Sequence, residues 1–155
     1  MHTQKTRLKR RDESGAAVLE FAFIAVVFFT LVFGMVQYSL YFWSTQSSAN
    51  AAREAARRGA VGQTCADMTT TSRNLIKLAA TTPVITRKYY ADTDTSFSTP
   101  VTAANGKNVR VVVTYNSVDL KFPFLPFFRG GAVRETAVSR VENYSISTPT
   151  NWAAC

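Results

Sequence analysis

Polar and apolar positions divide the chain into unlike parts. Residues 1–15 are basic and polar, residues 16–43 form a dense apolar block, and the rest is ordinary mixed sequence. From Ser14 to Ala52 the only charged residue is Glu20. A helix that crosses a bilayer needs about 20 apolar residues. Residues 17–36 supply them through Phe21, Phe23, Ile24, Val26, Val27, Phe28, Phe29, Leu31, Val32 and Phe33. Gln37, Tyr38, Tyr41 and Trp43 follow as a wetter, aromatic edge of the kind found at membrane interfaces. No proline interrupts the chain before Pro83, and Gly34 is tolerated in a lipid-embedded helix.

The helical pattern continues past Trp43 through the Ala-rich residues 46–58, where Glu54 can pair with Arg58 one turn on. Gly59 and Gly62 read as stops. One helix from about Gly15 to Arg58 would be about 65 Å long. Its first half would lie in lipid and its second half would rise beyond. Ala49, Ala52, Ala56 and Gly59 form a small-residue stripe on it. The stripe reads as a packing face for the chain's own globular part, with an intersubunit face as the alternative.

After Gly62 the pattern becomes that of a small globular domain. Thr64 can cap a helix from about Cys65 to Ala80, with Met68, Leu75, Ile76 and Ala79 on its apolar side and Pro83 ending it. Residues 84–90 read as a strand, residues 92–99 as a polar loop, and Asn105-Gly106 as a turn. Residues 108–118 alternate, with Val109, Val111, Val113 and Tyr115 on one face. Residues 122–128 carry Pro123 and Pro126, which forbid a central strand. This apolar connection must be covered by the domain's own core, a partner subunit or the membrane surface. Residues 132–146 are ambiguous: Val133, Ala137 and Val141 have helical spacing, while the Val and Thr content and the preceding turn favour a further strand. The expected fold class is α+β: a long N-terminal helix, then one helix and an antiparallel sheet. The expected divisions are a leader at 1–15, a transmembrane helix at 16–43, its continuation at 44–60 and an exported domain at 61–155.

Charge changes this picture little. The net charge is +8, but Lys5, Arg7, Lys9, Arg10 and Arg11 crowd the first fifteen residues against Asp12 and Glu13. Without that segment the charge falls to +5, from 13 basic and 8 acidic residues. The cluster reads as a cytoplasmic flank of a membrane span, and no basic, aromatic stretch elsewhere suggests nucleic acid. A cleaved secretory signal fits poorly, because the apolar run exceeds the usual 7–15 or so residues and Ala49-Asn50-Ala51 lies well past its core.

Cys65 and Cys155 are the only cysteines, and both fall on the exported side. In an oxidising compartment they are expected to pair internally. Two free thiols or an intermolecular bridge are the alternatives. No catalytic constellation emerges. The only histidine is His2, two distant cysteines make a poor zinc set, and neither a phosphate loop nor a nucleophile elbow is present. Asp92 and Asp94 are too few for calcium, and Asn143-Tyr144-Ser145 matches a glycosylation acceptor by pattern alone. The expectation is no enzyme activity, no cofactor, no metal and no small-molecule substrate.

Glu20 stands out, since a lone carboxylate one turn inside a membrane-length helix is costly. Its plainer reading is an acid favoured near a helix N-terminus. The run Gly15-Ala16-Ala17-Val18-Leu19-Glu20-Phe21-Ala22, a small junction with an acid five residues past it, is similar to a bacterial prepilin. Together with Asn50-Ala51-Ala52-Arg53-Glu54-Ala55-Ala56-Arg57, the Val109–Tyr115 run, the Phe/Pro-rich stretch, Gly130-Gly131 and Arg140-Val141-Glu142, it resembles the TadE-like minor pilins, or pseudopilins, of tight-adherence (Tad) type IV pilus systems. The first two blocks are the more specific.

The resemblance implies cleavage after Gly15 by a prepilin peptidase, leaving Ala16 as the new N-terminus and Glu20 as its fifth residue. It implies that Glu20 meets a neighbouring subunit's N-terminal amine, and that the partners are other pilins or pseudopilins, the pilus assembly platform and the lipid bilayer. It places the protein in the bacterial inner membrane, single-pass, with its N-terminus cytoplasmic. Ala16 and Phe21 differ from the Phe and Tyr common at those places in major pilins, which implies a minor pilin supporting assembly of an adhesion pilus. The alternative is an uncleaved, single-pass anchored protein whose exported domain binds a partner.

Overall fold

The computed structural model describes residues 9–123, 125–145 and 152–155. Its dominant element is α1 (Lys9–Ala60), 52 residues of unbroken helix and about 78 Å long. It begins before Gly15, because nothing in residues 9–15 breaks a helix. Hydroxyl side chains bond back to their own helix, as Thr30 Oγ1 does to the Val26 carbonyl at 2.8 Å and Ser39 Oγ to that of Met35 at 2.6 Å. Such bonds let polar residues sit in an apolar helix.

Gly59 does not end α1 as expected. It lies inside the helix, where a Cβ would come 3.1 Å from Arg87 Cδ and 3.2 Å from Val109 Cγ2, so its bare backbone admits the sheet. The stop is Gly62, whose φ of +74° suits glycine, with Gln63 N–H donating to the Arg58 carbonyl at 3.1 Å.

α2 (Cys65–Leu75) is capped as the sequence suggests: Thr64 Oγ1 accepts from the Asp67 amide and donates to the Asp67 carboxylate. It is shorter than expected. Ile76 turns extended, and the following backbone is drawn to the end of a strand. Ala80 N–H donates to the Asn116 carbonyl at 2.7 Å, Val118 N–H to that of Leu78 at 3.1 Å, and Ala79 bridges Ser117. Those bonds hold Leu78 in a left-handed conformation, φ 59°, so tertiary pairing overrides helix propensity there.

The sheet is antiparallel throughout, in the order β2 (Pro100–Val101), β1 (Val84–Tyr90), β3 (Asn108–Asn116) and β4 (Ala132–Arg140). β1 and β3 pair from Val84↔Thr114 to Tyr90↔Asn108, and β3 and β4 from Asn108↔Arg140 to Asn116↔Ala132. β3 carries the alternation read in the sequence, with Val109, Val111, Val113 and Tyr115 buried. β4 stops at Arg140, short of the expected end; residue 146 lies outside the described residues. β2 was not expected, since two residues carry no pattern, and its proline sits on the sheet edge where a missing donor does no harm.

One face of the sheet lies on α1 beyond Ser44. Ser44, Ser48, Ala51, Ala52, Ala55, Ala56 and Gly59 are buried there, so Ala52, Ala56 and Gly59 of the small-residue stripe pack on the chain's own domain, and Ala49 is half-buried. Tyr115 crosses the interface, its hydroxyl donating to the Ser44 carbonyl at 2.7 Å.

The C-terminus closes the other end. Cys155 pairs its backbone with Arg87 of β1, through bonds of 2.6 and 3.0 Å. Buried Arg87 donates to the carbonyls of Ala153 and Gln63, and burial pushes its guanidinium below the ordinary value. Burial likewise pushes the neighbouring Tyr89 phenol up. Cys65 and Cys155 come to disulfide distance, with Cα atoms 6.2 Å apart. Trp152 lies against Gly62, where a Cβ would fall within van der Waals distance of its ring. Gly62→Ala should therefore cost more than the roughly 1–2 kcal/mol of a left-handed non-glycine residue alone. Urea melts of the two proteins in the same detergent should show it as a lowered midpoint.

Candidate assembly site

The residues singled out at the N-terminal end all lie on α1, on bare helix. Gly15, Ala16, Glu20 and Phe21 are exposed, and a Cβ at Gly15 would meet nothing within 4 Å. Ala16 and Glu20 are four residues apart, so they share a face one turn from each other. Among the described residues no hydrogen bond or ion pair engages the Glu20 carboxylate. Around it Val18, Leu19, Phe21, Phe23 and Ile24 are each 60–71% exposed, with no sheet or loop over them. The segment is long and apolar enough to cross a membrane, and its apolar window is unburied within the chain. Cys65 and Cys155 are not part of this site; they lie past the far end of the helix, about 60 Å of helix rise from Glu20.

A second polar cluster lies at the middle of α1. Buried Gln37 reaches the connection after β3: its Nε2 donates to the Val118 carbonyl at 3.0 Å, and its Oε1 accepts from the Leu120 amide at 2.9 Å. Tyr38 donates to the Pro126 carbonyl at 2.9 Å and Tyr41 to that of Ala132 at 3.4 Å. The Phe/Pro connection thereby folds onto α1. Phe122 stacks on Phe33 with centroids 4.7 Å apart and 12° between planes, and the Phe127 ring meets Tyr41 edge-on at 5.8 Å. Leu125 lies over Gly34, where its Cδ2 would be 3.4 Å from an added Cβ. Pro123 flanks an apolar groove of about 350 Å³ against Phe29 and Phe33. Reading Gln37, Tyr38 and Tyr41 only as an interfacial edge missed this role; the signal was a single amide followed by tyrosines in an apolar helix.

At the C-terminal end of α1 Glu54 is held by Arg57 and Arg58, at 2.8 and 2.6 Å. Arg58 also donates to Gln63 Oε1 at 3.2 Å, tying the helix end to the turn. Elsewhere Asp94 caps its own loop, accepting from the amides of Ser98 and Thr99 at 3.0 Å each, and those bonds hold its carboxyl below the ordinary value. Among the described residues no three His, Cys, Asp or Glu side chains come together as metal ligands.

With this geometry in place, comparison with known proteins identifies the first helix. Residues 15–57 match the family model described as TadE-like protein, so the match starts at Gly15 and ends in the last turn of α1. No curated protein and no solved structure matches the chain. The chain thus carries a TadE-like segment on α1, and the sheet domain lies outside the match.

Hydrogen bonds from Arg57 and then Arg58 pull the Glu54 carboxyl down from 4.5 to about 2. The unfolded chain takes up a proton near 4.5, while the folded chain resists until about 2. The stabilisation is therefore complete above 4.5 and fades as pH falls toward 2. Arg57 is 66% exposed, so screening keeps the contribution far below what that shift alone would imply. Glu54→Gln should lower stability by roughly 0.5–1 kcal/mol at pH 7. The difference should vanish toward pH 2, as followed by melts across that range.

Proposed function

We propose that this protein is a minor pilin, or pseudopilin, that supports assembly of a Tad-type adhesion pilus and performs no catalysis of its own. The observation that carries this reading is the TadE-like match opening at Gly15, with Glu20 exposed and, among the described residues, unpaired one turn beyond it on an apolar helix. In this reading residues 1–15 are a cytoplasmic leader, removed by a prepilin peptidase between Gly15 and Ala16. Residues 16–43 span the inner membrane once, residues 44–60 continue the helix outside it, and residues 61–155 form the exported domain.

Cleavage would place a new ammonium at Ala16 and leave Glu20 on the same helix face. An ionised carboxylate in hydrocarbon costs about 2.5–3.5 kcal/mol at the bilayer centre, less toward the edge. A neighbouring subunit's N-terminal ammonium bears a comparable cost of opposite charge, and pairing relieves both. Because each subunit offers the amine and the acid at different heights, the pairing favours a staggered stack of parallel helices. The partners are then other pilins or pseudopilins, the assembly platform and the lipid. The alternative is an uncleaved, single-pass anchored protein whose exported domain binds a partner.

Intact mass and N-terminal sequencing of protein from its host's membranes decides between them. A chain starting at Ala16 is expected; one starting at Met1 or His2 would leave an anchored domain as the function. Glu20→Ala should still insert in the membrane but impair piliation, and normal piliation would sink the assembly role of Glu20.

The two cysteines are proposed to be bridged in the exported domain. Cys65→Ser should then lower its stability by about 2–5 kcal/mol. Thiol labelling on non-reducing gels checks the premise, since two reactive thiols in freshly exported protein would rule the bridge out.

A further inference from the structure

The connection between β3 and β4 lies at the wrong height for an ordinary domain loop. If α1 crosses a bilayer over residues 17–36, a span of about 30 Å, Phe33 lies about 4–5 Å inside the hydrocarbon and Phe29 about 10 Å inside. Phe122 stacks on Phe33, and Pro123 flanks the groove against Phe29 and Phe33. The connection must then share their depth. We propose that residues 120–123 and 125–127 form a second membrane anchor, inserted beside α1 among the acyl chains of the leaflet nearest the sheet domain. The proposal rests on the reading of α1 as a membrane span.

Irregular backbone is tolerated at such depth only if its polar groups are satisfied. Several here are met from within the chain. Pro123 and Pro126 have no N–H to satisfy. Gln37 takes the Leu120 amide and the Val118 carbonyl, Tyr38 takes the Pro126 carbonyl, and the Leu125 amide donates to the Phe122 carbonyl at 3.4 Å. A loop in water would not need a buried amide side chain to complete it. The outward groups also suit lipid: Leu120 is 41% exposed, and Pro123 and Pro126 are exposed. Exposed Lys121 begins the segment, where its stem can run along acyl chains and its ammonium reach anionic headgroups. Phe42 and Trp43, exposed on α1 about 10 Å above Val36, fall where an aromatic belt sits. Insertion of 5–10 Å is the ordinary depth of a monotopic segment.

Two anchors, one spanning and one dipping, would fix the tilt and rotation of the sheet domain on the bilayer. The test places one nitroxide at a time on the full chain in vesicles of phosphatidylethanolamine and phosphatidylglycerol, with Cys65 and Cys155 oxidised. Pro123→Cys reports the deepest point, and Leu120→Cys keeps both prolines in case the first variant disturbs the loop. Phe28→Cys marks mid-span and Thr95→Cys marks a water-exposed loop. Collision with oxygen, relative to a water-soluble nickel chelate, should be several-fold higher at 123 and 120 than at 95, and at 123 should approach that at 28. Values at 123 and 120 equal to that at 95, with 28 still in lipid, would overturn the anchor and leave the span intact. Shielding from both reagents would overturn it in favour of cover by another protein surface. Nickel access at 28 would overturn the span itself, and the anchor with it.

Discussion

The bare backbone of α1 between Ser44 and Ala60 sets the terms for the rest of the domain. A sheet can approach a helix closely only where the facing side chains are small, and here they are serine, alanine and one glycine. Val109 and Arg87 press against Gly59, and Tyr115 reaches across to Ser44. A larger side chain at Gly59 would have to displace both neighbours, which close-packed interiors resist. The same face turns the helix into the domain's second layer, so the sheet has no need of a further helix over it. α2 covers little, burying Met68 and Ser72.

That arrangement gives one helix two unlike halves. Its first half exposes large apolar side chains all round, whereas its second half has one buried face and one polar face carrying Arg53, Glu54 and Arg57. The change comes near Gln37, where a buried side chain first appears. The Phe/Pro connection meets the helix around this level, with Phe33 and Gly34 on its apolar side and Tyr38 and Tyr41 on the other. The domain and the apolar helix are therefore joined by more than the chain running between them.

Much of this was legible in the sequence because it rests on local pattern. The long helix follows from an apolar run without proline, β3 from its alternation, the α2 cap from Thr64, and β1 from a β-branched, aromatic run. What was not legible depends on partners distant in sequence. α2 ends early because residues 78–80 bond to the far end of β3, which no helix rule anticipates. Gly59 looked like a stop because a glycine required for close approach and one required for a turn are the same letter; only the position of Val109 distinguishes them. Arg87 carries a weak signal, a charge amid a strand whose other alternate positions are apolar. Its partners Gln63 and Ala153 lie too far away to be read. At the site the order was reversed: Gly15, Ala16 and Glu20 stood out by pattern alone, and the fold adds that all three are exposed, with no hydrogen bond or ion pair on Glu20 among the described residues.

Gln37 and Glu20, two of the polar residues in the apolar half of α1, meet opposite outcomes. Gln37 can donate and accept, and the chain supplies both partners, so the helix is self-sufficient at that height. Glu20 can only accept when ionised, and among the described residues the chain supplies no donor. A carboxylate left in that position beside lipid is tolerable near the membrane edge and improves with any cation that reaches it. The nearest cation that processing itself would create is the amine at Ala16, one turn away on the same helix. On its own helix that amine is a poor partner, since both groups project from one rigid face toward the outside. On a second helix shifted along the axis it is a good one. On the reading proposed above, the helix would favour a neighbour of its own kind at the N-terminal end, while the Gln37 level is already complete. A subunit that enters and leaves a helical stack would need that combination: a domain held firmly to its own helix, and an unmet charge that another subunit completes.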